Sequence, residues 1–497
     1  MIQIQEYLDF SAEKYPDKVA LIDPTNSMTF AELSNSAKAI GTAVSSVVPP
    51  RSAVVVYMEK SVSAIAAFLG ILNAGCFYCY LDPKTPTERT LSILNSLNPG
   101  LVISENGTFP FSNYPILSYG EIIGTQQDLL KLDIVHKRAV DTDPAYCSFT
   151  SGSTGVPKGV LVSHRSVLDF IDNFTTLFEL DQNDVFACQS PFDFDVSVKD
   201  IYSALKIGAT VVLIPKFYFV FLPTLLEYLD KNHVTTLIWA VSALCLLSER
   251  DALSYLLPSS IERIIFSGEV MPEKHLLYWK SHYPNAVFIN VYGPTEITCN
   301  CTYYILPPDY SGGEVPMGKA FPNERVMLLN SDDSEITAPN LTGEVCVVGT
   351  CVALGYCGLP EQTASAFVPN PLSKQWTEFM YRTGDLAKYN DEGLLLYVGR
   401  KDFQIKRNGR RVELGEIENA MQSLDGINRA CVIYNKENKK LIGCYTGTEC
   451  ERKILNKALS SKLPDYMIPD SYFYVDTFPL NLHGKIDRAK LLQLSDT

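Results

Sequence analysis

Several things are scarce in this 497-residue chain, and each scarcity removes a class of protein. No apolar run is long and clean enough to span a membrane. The most apolar segment, residues 64–81, is broken by Gly70, Asn73 and Gly75 and stopped by Asp82-Pro83, which reads as a buried helix, a turn and a strand. Positive charge is in deficit: 42 Lys plus Arg face 56 Asp plus Glu, a net charge of −14, and such a field repels both nucleic acid and anionic membrane. Histidine is rare, with six in all, and no pair has metal-ligand spacing. The 13 cysteines are odd in number and scattered from Cys76 to Cys450, unlike a disulfide scaffold. Cys76 and Cys79 form a lone CxxC in an apolar stretch, which reads as packed thiols. The opening MIQIQEYLDF lacks a basic segment ahead of an apolar one, so no signal peptide is expected and the fitting compartment is the cytoplasm.

What remains is a globular chain, 46% hydrophobic and 20% charged, long enough for about three structural units. To about residue 300, helix-like segments such as 61–72 alternate with apolar runs. Ala53-Val54-Val55-Val56-Tyr57, Thr210-Val211-Val212-Leu213-Ile214, Thr236-Leu237-Ile238-Trp239 and Arg263-Ile264-Ile265-Phe266 read as buried strands, the last two each followed by a small-residue turn and a helix. That alternation predicts an α/β fold with two helix-covered parallel sheets. Residues 315–400 change to short strands, such as 343–348 and 393–398, separated by Gly, Pro and Asn, and predict a small β-barrel-like unit. Beyond Asp402 the chain is more charged and carries helix patterns near 413–424 and 451–462. The expected division is a core of residues 1–401 and an α+β domain of residues 402–497.

One loop stands out: Thr150-Ser151-Gly152-Ser153-Thr154-Gly155-Val156-Pro157-Lys158-Gly159, between the strand-like runs 145–149 and 160–162. Its three glycines let the backbone approach a ligand, while hydroxyls, amide N–H groups and Lys158 suit phosphate oxygens. The spacing is neither a Walker loop nor a G-x-G-x-x-G fingerprint.

SFTSGSTGVPKGV resembles the phosphate loop of the adenylate-forming superfamily of acyl-CoA synthetases, luciferases and peptide-synthetase adenylation domains. Further resemblances follow in order: Thr29-Phe30-Ala31-Glu32-Leu33, Leu72-Asn73-Ala74-Gly75, Tyr292-Gly293-Pro294-Thr295-Glu296, Tyr381-Arg382-Thr383-Gly384-Asp385, the run from Gly399-Arg400-Lys401-Asp402 to Glu418, and Gly484-Lys485-Ile486-Asp487-Arg488. The resemblance spans residues 29–488 and is strongest to amino-acid adenylation domains and D-alanine–D-alanyl carrier protein ligases. It implies an enzyme that joins a carboxylate to the α-phosphate of ATP, releases pyrophosphate, and passes the acyl group to a phosphopantetheine thiol. Lys485 would be catalytic, bridging carboxylate and phosphate, although His483 stands where the family usually has Asn. Tyr292 would stack on adenine, with Gly293 beside it; Thr295 would contact the α-phosphate, Glu296 would help hold Mg²⁺, Asp385 would accept from the ribose, and Arg400 would reach ribose or phosphate. The lid would rotate about Asp402. The basic run Lys406-Arg407-Asn408-Gly409-Arg410-Arg411 reads equally as a solvated face or as a dock for nucleotide or an acidic carrier.

The segment Phe192-Asp193-Phe194-Asp195-Val196-Ser197-Val198 bears on the substrate. Asp195 matches the aspartate with which amino-acid-activating members pair the substrate α-ammonium; acyl and aryl members, CoA ligases among them, do not need it. Val196, Lys199, Trp239, Ile265, Ser267, Val291, Cys299 and Asn300 align with side-chain pocket positions. Lys199 is open to three readings: pairing with an acidic or polar substrate side chain, covering an aromatic one, or snorkelling to solvent. The sequence FSGE and Lys199 favour a peptide-synthetase type over a D-alanine ligase, while the spacing of FDVSVKD and DFQIK keeps the latter open. No carrier segment follows Thr497, so loading of a carrier protein in trans, or an excised domain, is expected.

Overall fold

The computed structural model describes residues 1–111, 113–151, 157–401, 404–435, 437–479 and 486–495. By contact density the chain forms two compact units. The first comprises Met1–Pro83, Leu97–Ser148 and Gly159–Lys401; the second comprises Lys84–Ser96, Phe149–Lys158 and Asp402–Thr497.

The first unit is built on three sheets. The largest has nine strands. At its centre Val287–Tyr292, Arg263–Ser267, Thr236–Ala240, Val185–Cys188, Thr210–Leu213 and Val19–Ile22 run parallel in that order, with antiparallel strands at both edges. A second, seven-stranded sheet contains Phe77–Tyr80, Ala53–Tyr57 and Leu101–Ser104 as parallel neighbours. These are the valine-rich and β-branched runs of the sequence, and both their faces are covered, as parallel strands require. Residues 64–81 form most of helix Val62–Asn73, a left-handed turn at Gly75 and strand Phe77–Tyr80. The turn expected after Thr236–Ala240 is missing, because helix Val241–Glu249 starts on the next residue. A third sheet, wholly antiparallel, joins Glu335–Ile336, Glu324–Leu329, Thr342–Gly349, Phe379–Tyr389, Phe367–Pro369 and Leu395–Arg400.

The second unit has a three-stranded sheet, Ile427–Asn435, Lys440–Gly447 and Ser471–Tyr474, with a separate apolar cluster on each face. Val432 and Leu441 face one cluster and Ile433 and Ile442 the other, the alternation expected of a doubly covered sheet. A hairpin, Gln404–Arg407 with Arg410–Glu413, precedes helix Leu414–Gln422. A buried ion pair, Arg89 to Glu416 at 2.6 Å, ties the segment around helix Thr87–Leu97 into this unit.

Helix Val62–Asn73 crosses helix Phe30–Ser45 at Gly70, where a Cβ would sit 2.4 Å from Ile40 Cγ2. Alanine normally gains about 1 kcal/mol over glycine in a helix. Here overpacking costs about 1–3 kcal/mol, so Gly70→Ala is expected to lower the urea midpoint of unfolding. A raised midpoint would show that the helices can separate freely.

Candidate active site

The chemistry-bearing residues of the first unit collect at one place, the C-terminal edge of the nine-stranded sheet. Parallel strands leave a crevice beyond their carboxyl ends, because each chain turns away there to its next helix. Tyr292, Ser267 and Ala240 end three adjacent strands, and the segment after Val185–Cys188 leads to Asp195 at the start of helix Val196–Ile207.

Tyr292 donates its hydroxyl proton to Asp385 Oδ2 at 2.5 Å, and Arg400 Nη1 donates to Asp385 Oδ1 at 2.8 Å. Asp385 and Arg400 face each other on paired strands, so the register of the antiparallel sheet sets their contact. The Asp385 backbone N–H donates to Thr383 Oγ1, which itself donates to the Val345 carbonyl. Burial and the neighbouring carboxylate push the Tyr292 phenol far above its usual range, so it stays a donor.

Beyond Tyr292 the chain makes a tight turn. At Gly293 a side chain would meet Asn300 Cα at 2.5 Å and Cys299 O at 2.8 Å. Thr298 and Cys299 both adopt left-handed backbone, at φ 55° and 70°, a strained arrangement for non-glycine residues. Residues 351–356 hold this turn. The Ala353 N–H donates to the Glu296 carbonyl, Thr298 Oγ1 donates to the Cys351 carbonyl, and Tyr356 OH donates to Glu296 Oε1 at 2.8 Å. Glu296 is fully buried and Thr295 nearly so. Tyr356 is a functional neighbour that sequence reading misses; its only signal is its place in a Leu-Gly-Tyr turn.

Asp195 begins its helix without capping it, since its side chain makes no cap hydrogen bond. Its Oδ2 is buried and has no hydrogen-bond partner. Burial pushes the carboxyl up to about 6, against the pull of the Lys199 ammonium and the Thr295 hydroxyl. One helical turn on, Lys199 is 0% exposed and its Nζ donates to Asn300 Oδ1 at 2.8 Å. The snorkelling reading of Lys199 is therefore wrong: the helix face it occupies is packed on the sheet, and solvent is out of reach. Cys299 Sγ approaches the Asp195 carbonyl at 3.3 Å.

The expectation that Trp239 lines this pocket also fails. Side chains alternate along a strand, and Trp239 lies in the apolar cluster on the opposite face with Leu237, Ile264 and Phe266. Its indole N–H donates to the Ala187 carbonyl there. The residue facing the same side as Ile265 and Val291 is Ile238, one position earlier and paired in register with Ile265. Val196 starts the helix beside Asp195, and Ser267 ends the Ile265 strand on the same face.

Two further residues escape sequence reading. Lys60 Nζ donates to the carbonyls of Cys188, Ser190, Gln189 and Ile214 at 2.7 to 3.3 Å, fastening the chain that runs to Asp195. Asp200 is fully buried, and its carboxyl is pushed up to about 8 by burial although Lys199 and Lys60 both pull it down. Nothing in the local sequence marks Lys60, because its partners are all backbone atoms of distant strands.

Of the phosphate loop, Gly152, Ser153, Thr154 and Gly155 lie outside the described residues, as do Asp402 and Lys485. Within the second unit, Ser151 Oγ donates to the Arg411 carbonyl at 2.9 Å, and Thr150 Oγ1 approaches the Lys158 carbonyl at 3.5 Å. The basic hairpin is not a free cationic face. Arg407 forms a two-pronged pair with Asp470, the Arg410 guanidinium lies 4.5 Å from the Tyr466 ring centroid, and Arg411 approaches Glu413 at 3.8 Å. The described cysteines are free thiols, and Cys76 and Cys79 are buried. No helix among the described residues is long and apolar enough to cross a membrane.

With this geometry in hand, comparison with known proteins is direct. A family profile described as "AMP-binding enzyme" matches residues 8–357, and the chain belongs to that family. It is 32% identical to tyrocidine synthase 3 of Brevibacillus parabrevis over 99% of this chain, and it spans only 8% of that much longer protein. It is 30% identical to zwittermicin A synthase ZmaJ of Bacillus cereus, covering 99% of this chain and 95% of that one. Among solved structures, IdnL1 matches with a TM-score of 0.82 and 28% identity over 96% of this chain and 99% of that one. PA1221, described as a protein containing adenylation and PCP domains, matches in its holo form at TM-score 0.84 and 24% identity, covering 99% of this chain and 84% of that one. The protein is an adenylate-forming ligase, an enzyme class that uses ATP.

The unpaired Asp195 carboxylate makes a stability prediction. Its folded value of about 6 lies above the ordinary carboxylate range, so its ionised form costs the folded state. That cost is absent below the unfolded value and complete once pH rises through about 6. Asp195→Asn is expected to gain about 1–3 kcal/mol at pH 8, with the gain vanishing below about pH 4. Thermal melts of both proteins across that range check it, and a variant less stable at pH 8 would refute the orphaned carboxylate.

Proposed function

We propose that the protein activates an amino acid as its aminoacyl adenylate and transfers the acyl group to the phosphopantetheine thiol of a carrier protein, as peptide synthetases do. The observation that carries this reading is the buried Asp195 oxygen without a partner, at the edge of the sheet where Tyr292, Thr295 and Glu296 also lie. Burying an unsatisfied carboxylate costs a folded protein several kcal/mol, a cost that a complementary ligand offsets. A substrate α-ammonium is the complementary charge, and a simple acyl substrate has none. The synthetases among the relatives, and the adenylation and carrier domains of PA1221, support the same assignment.

In the first step a substrate carboxylate oxygen attacks the α-phosphorus of ATP, an O–P bond forms, and the bond to pyrophosphate breaks. In the second, the thiol attacks the acyl carbonyl and AMP leaves. Both steps concentrate negative charge, so fixed donors aimed at it lower the barrier. Thr150, Ser151, Gly152, Ser153, Thr154, Gly155 and Lys158 would cradle the phosphates, and Lys485 would bridge carboxylate and phosphate. Tyr292 is held by its hydroxyl, and its ring would stack on adenine. Each Asp385 oxygen already accepts one bond and keeps a lone pair for a ribose hydroxyl. Arg400 holds that carboxylate in place. Glu296 is a buried carboxylate with one oxygen oriented by Tyr356, a donor suited to Mg²⁺, which favours one or two carboxylates completed by substrate phosphates. When bound, the ion would offset charge on the phosphates. Residues 402–497 would act as a lid turning about Asp402.

The test is amino-acid-dependent ATP–pyrophosphate exchange with every L- and D-amino acid. At least one should support exchange, and Lys485→Ala should reduce it by about 100-fold or more. Because ammonium recognition needs ionised Asp195, the KM for the amino acid should rise as pH falls through about 6. Absence of exchange with all amino acids would sink the reading, and an optimum at D-alanine would assign the protein to the D-alanine–carrier ligases instead.

A further inference from the structure

The pocket behind Asp195 contains a second charge that adenylation itself does not use. Lys199 is wholly buried one turn along the same helix, and its only hydrogen-bond partner among the described residues is Asn300 Oδ1. An ammonium can only donate, so the carboxamide must offer its oxygen to Lys199. What the pair has left is therefore all donor: the other ammonium protons and the Asn300 NH₂ group. Asp195, Asp200 and Cys299 act on the ammonium through space, and no hydrogen bond joins them to it. Ile238, Ile265 and Val291 are buried hydrocarbon on the same side of the sheet.

Charge balance points the same way. Compensation for the Lys199 ammonium comes chiefly from Asp195, because burial raises the Asp200 carboxyl to about 8 and keeps it protonated at neutral pH. Lys60 is spent on four backbone carbonyls. When a substrate α-ammonium takes Asp195, the pocket gains a positive charge and Lys199 loses part of its compensation. A buried cation in that position is stable only with a new partner.

We infer that the site selects an amino acid whose side chain ends in an oxygen acceptor, a carboxylate or carboxamide, received by Lys199 and Asn300 while Asp195 holds the α-ammonium. The inference rests on the adenylation reading above and adds the substrate class. Asp195 and Lys199 stand four residues apart, about 6 Å between their Cβ atoms, which suits the short span between an α-ammonium and a side-chain carbonyl. A site built to hydrogen-bond a substrate group rejects the analogue without it strongly, because its own donors are then left unpaired.

The experiment compares exchange rates of the wild-type protein with Asp, Glu, Asn and Gln against Leu, Met, Ala, Phe and Lys, in both enantiomers. One acceptor-bearing amino acid should exceed Leu and Met in kcat/KM by at least about 100-fold. A preferred carboxylate over its carboxamide identifies charge pairing; the reverse identifies neutral hydrogen bonding. Lys199→Met should abolish the preference and raise the relative rate with Leu or Met. Should that variant fail to fold, Asn300→Asp tests the same point, because a carboxylate beside Lys199 should lower the rate with acidic substrates by about 10-fold or more. Exchange that favours apolar, aromatic or basic amino acids overturns the inference and leaves adenylation standing. Lack of exchange with any amino acid overturns both.

Discussion

The site depends on a carboxylate that the fold buries and satisfies only in part. Removing an ionised group from water is among the most expensive operations in folding, and Asp195 undergoes it without the cap hydrogen bond its position offers. The surroundings limit the damage in two ways and hold the carboxylate in place by a third contact. Lys199 supplies a favourable field from one turn away, and the Thr295 hydroxyl favours the ionised form. Lys60 clamps the carbonyls of residues 188–190, so the segment cannot relax to carry Asp195 into solvent. The remaining cost is one that the proposed substrate α-ammonium would offset, a case of stability given up where binding would need it.

That arrangement holds because the neighbouring backbone is rigid. Left-handed Thr298 and Cys299 follow directly on the Thr295–Ile297 turn, and strain of this kind survives only where contacts over-determine it. Residues 351–356 provide those contacts through two backbone carbonyls and the Glu296 carboxylate. The same turn sets Asn300 opposite Lys199. Glu296 and Asn300, proposed to serve the nucleotide and the substrate side chain respectively, thus share one short, heavily braced segment between two strands of the main sheet.

Much of this is legible in the sequence, and the failures have specific causes. Long apolar runs such as Ala53–Tyr57 can be placed because a strand buried on both faces leaves an unmistakable β-branched pattern. The order of motifs singles out Tyr292, Asp385 and Arg400, which the structure brings into contact. Trp239 is off by one residue, which in a strand means the wrong face; periodicity of two makes Ile238 and Trp239 opposites. The burial of Lys199 is ambiguous in the sequence because a helix pattern does not state how wide its covered face is. Lys60 and Tyr356 are invisible there, since each acts through a partner more than 50 residues away, and the basic hairpin misleads because Arg407 answers Asp470, 63 residues further on.

The chain's excess of acid acquires a structural meaning from these pairings. Cations are drawn inward as fasteners. Lys60 closes on strand ends, Lys199 on Asn300, Arg400 on Asp385, Arg89 on Glu416, and Arg407 on Asp470 with the Tyr466 and Ile468 carbonyls. A guanidinium paired with a carboxylate, as Arg400, Arg89 and Arg407 are, contributes little to the field felt at a distance. An enzyme whose substrate is a polyanion gains nothing from a cationic exterior that collects every other polyanion. Attraction confined to a few short-range donors, inside an acidic surface, leaves recognition to geometry.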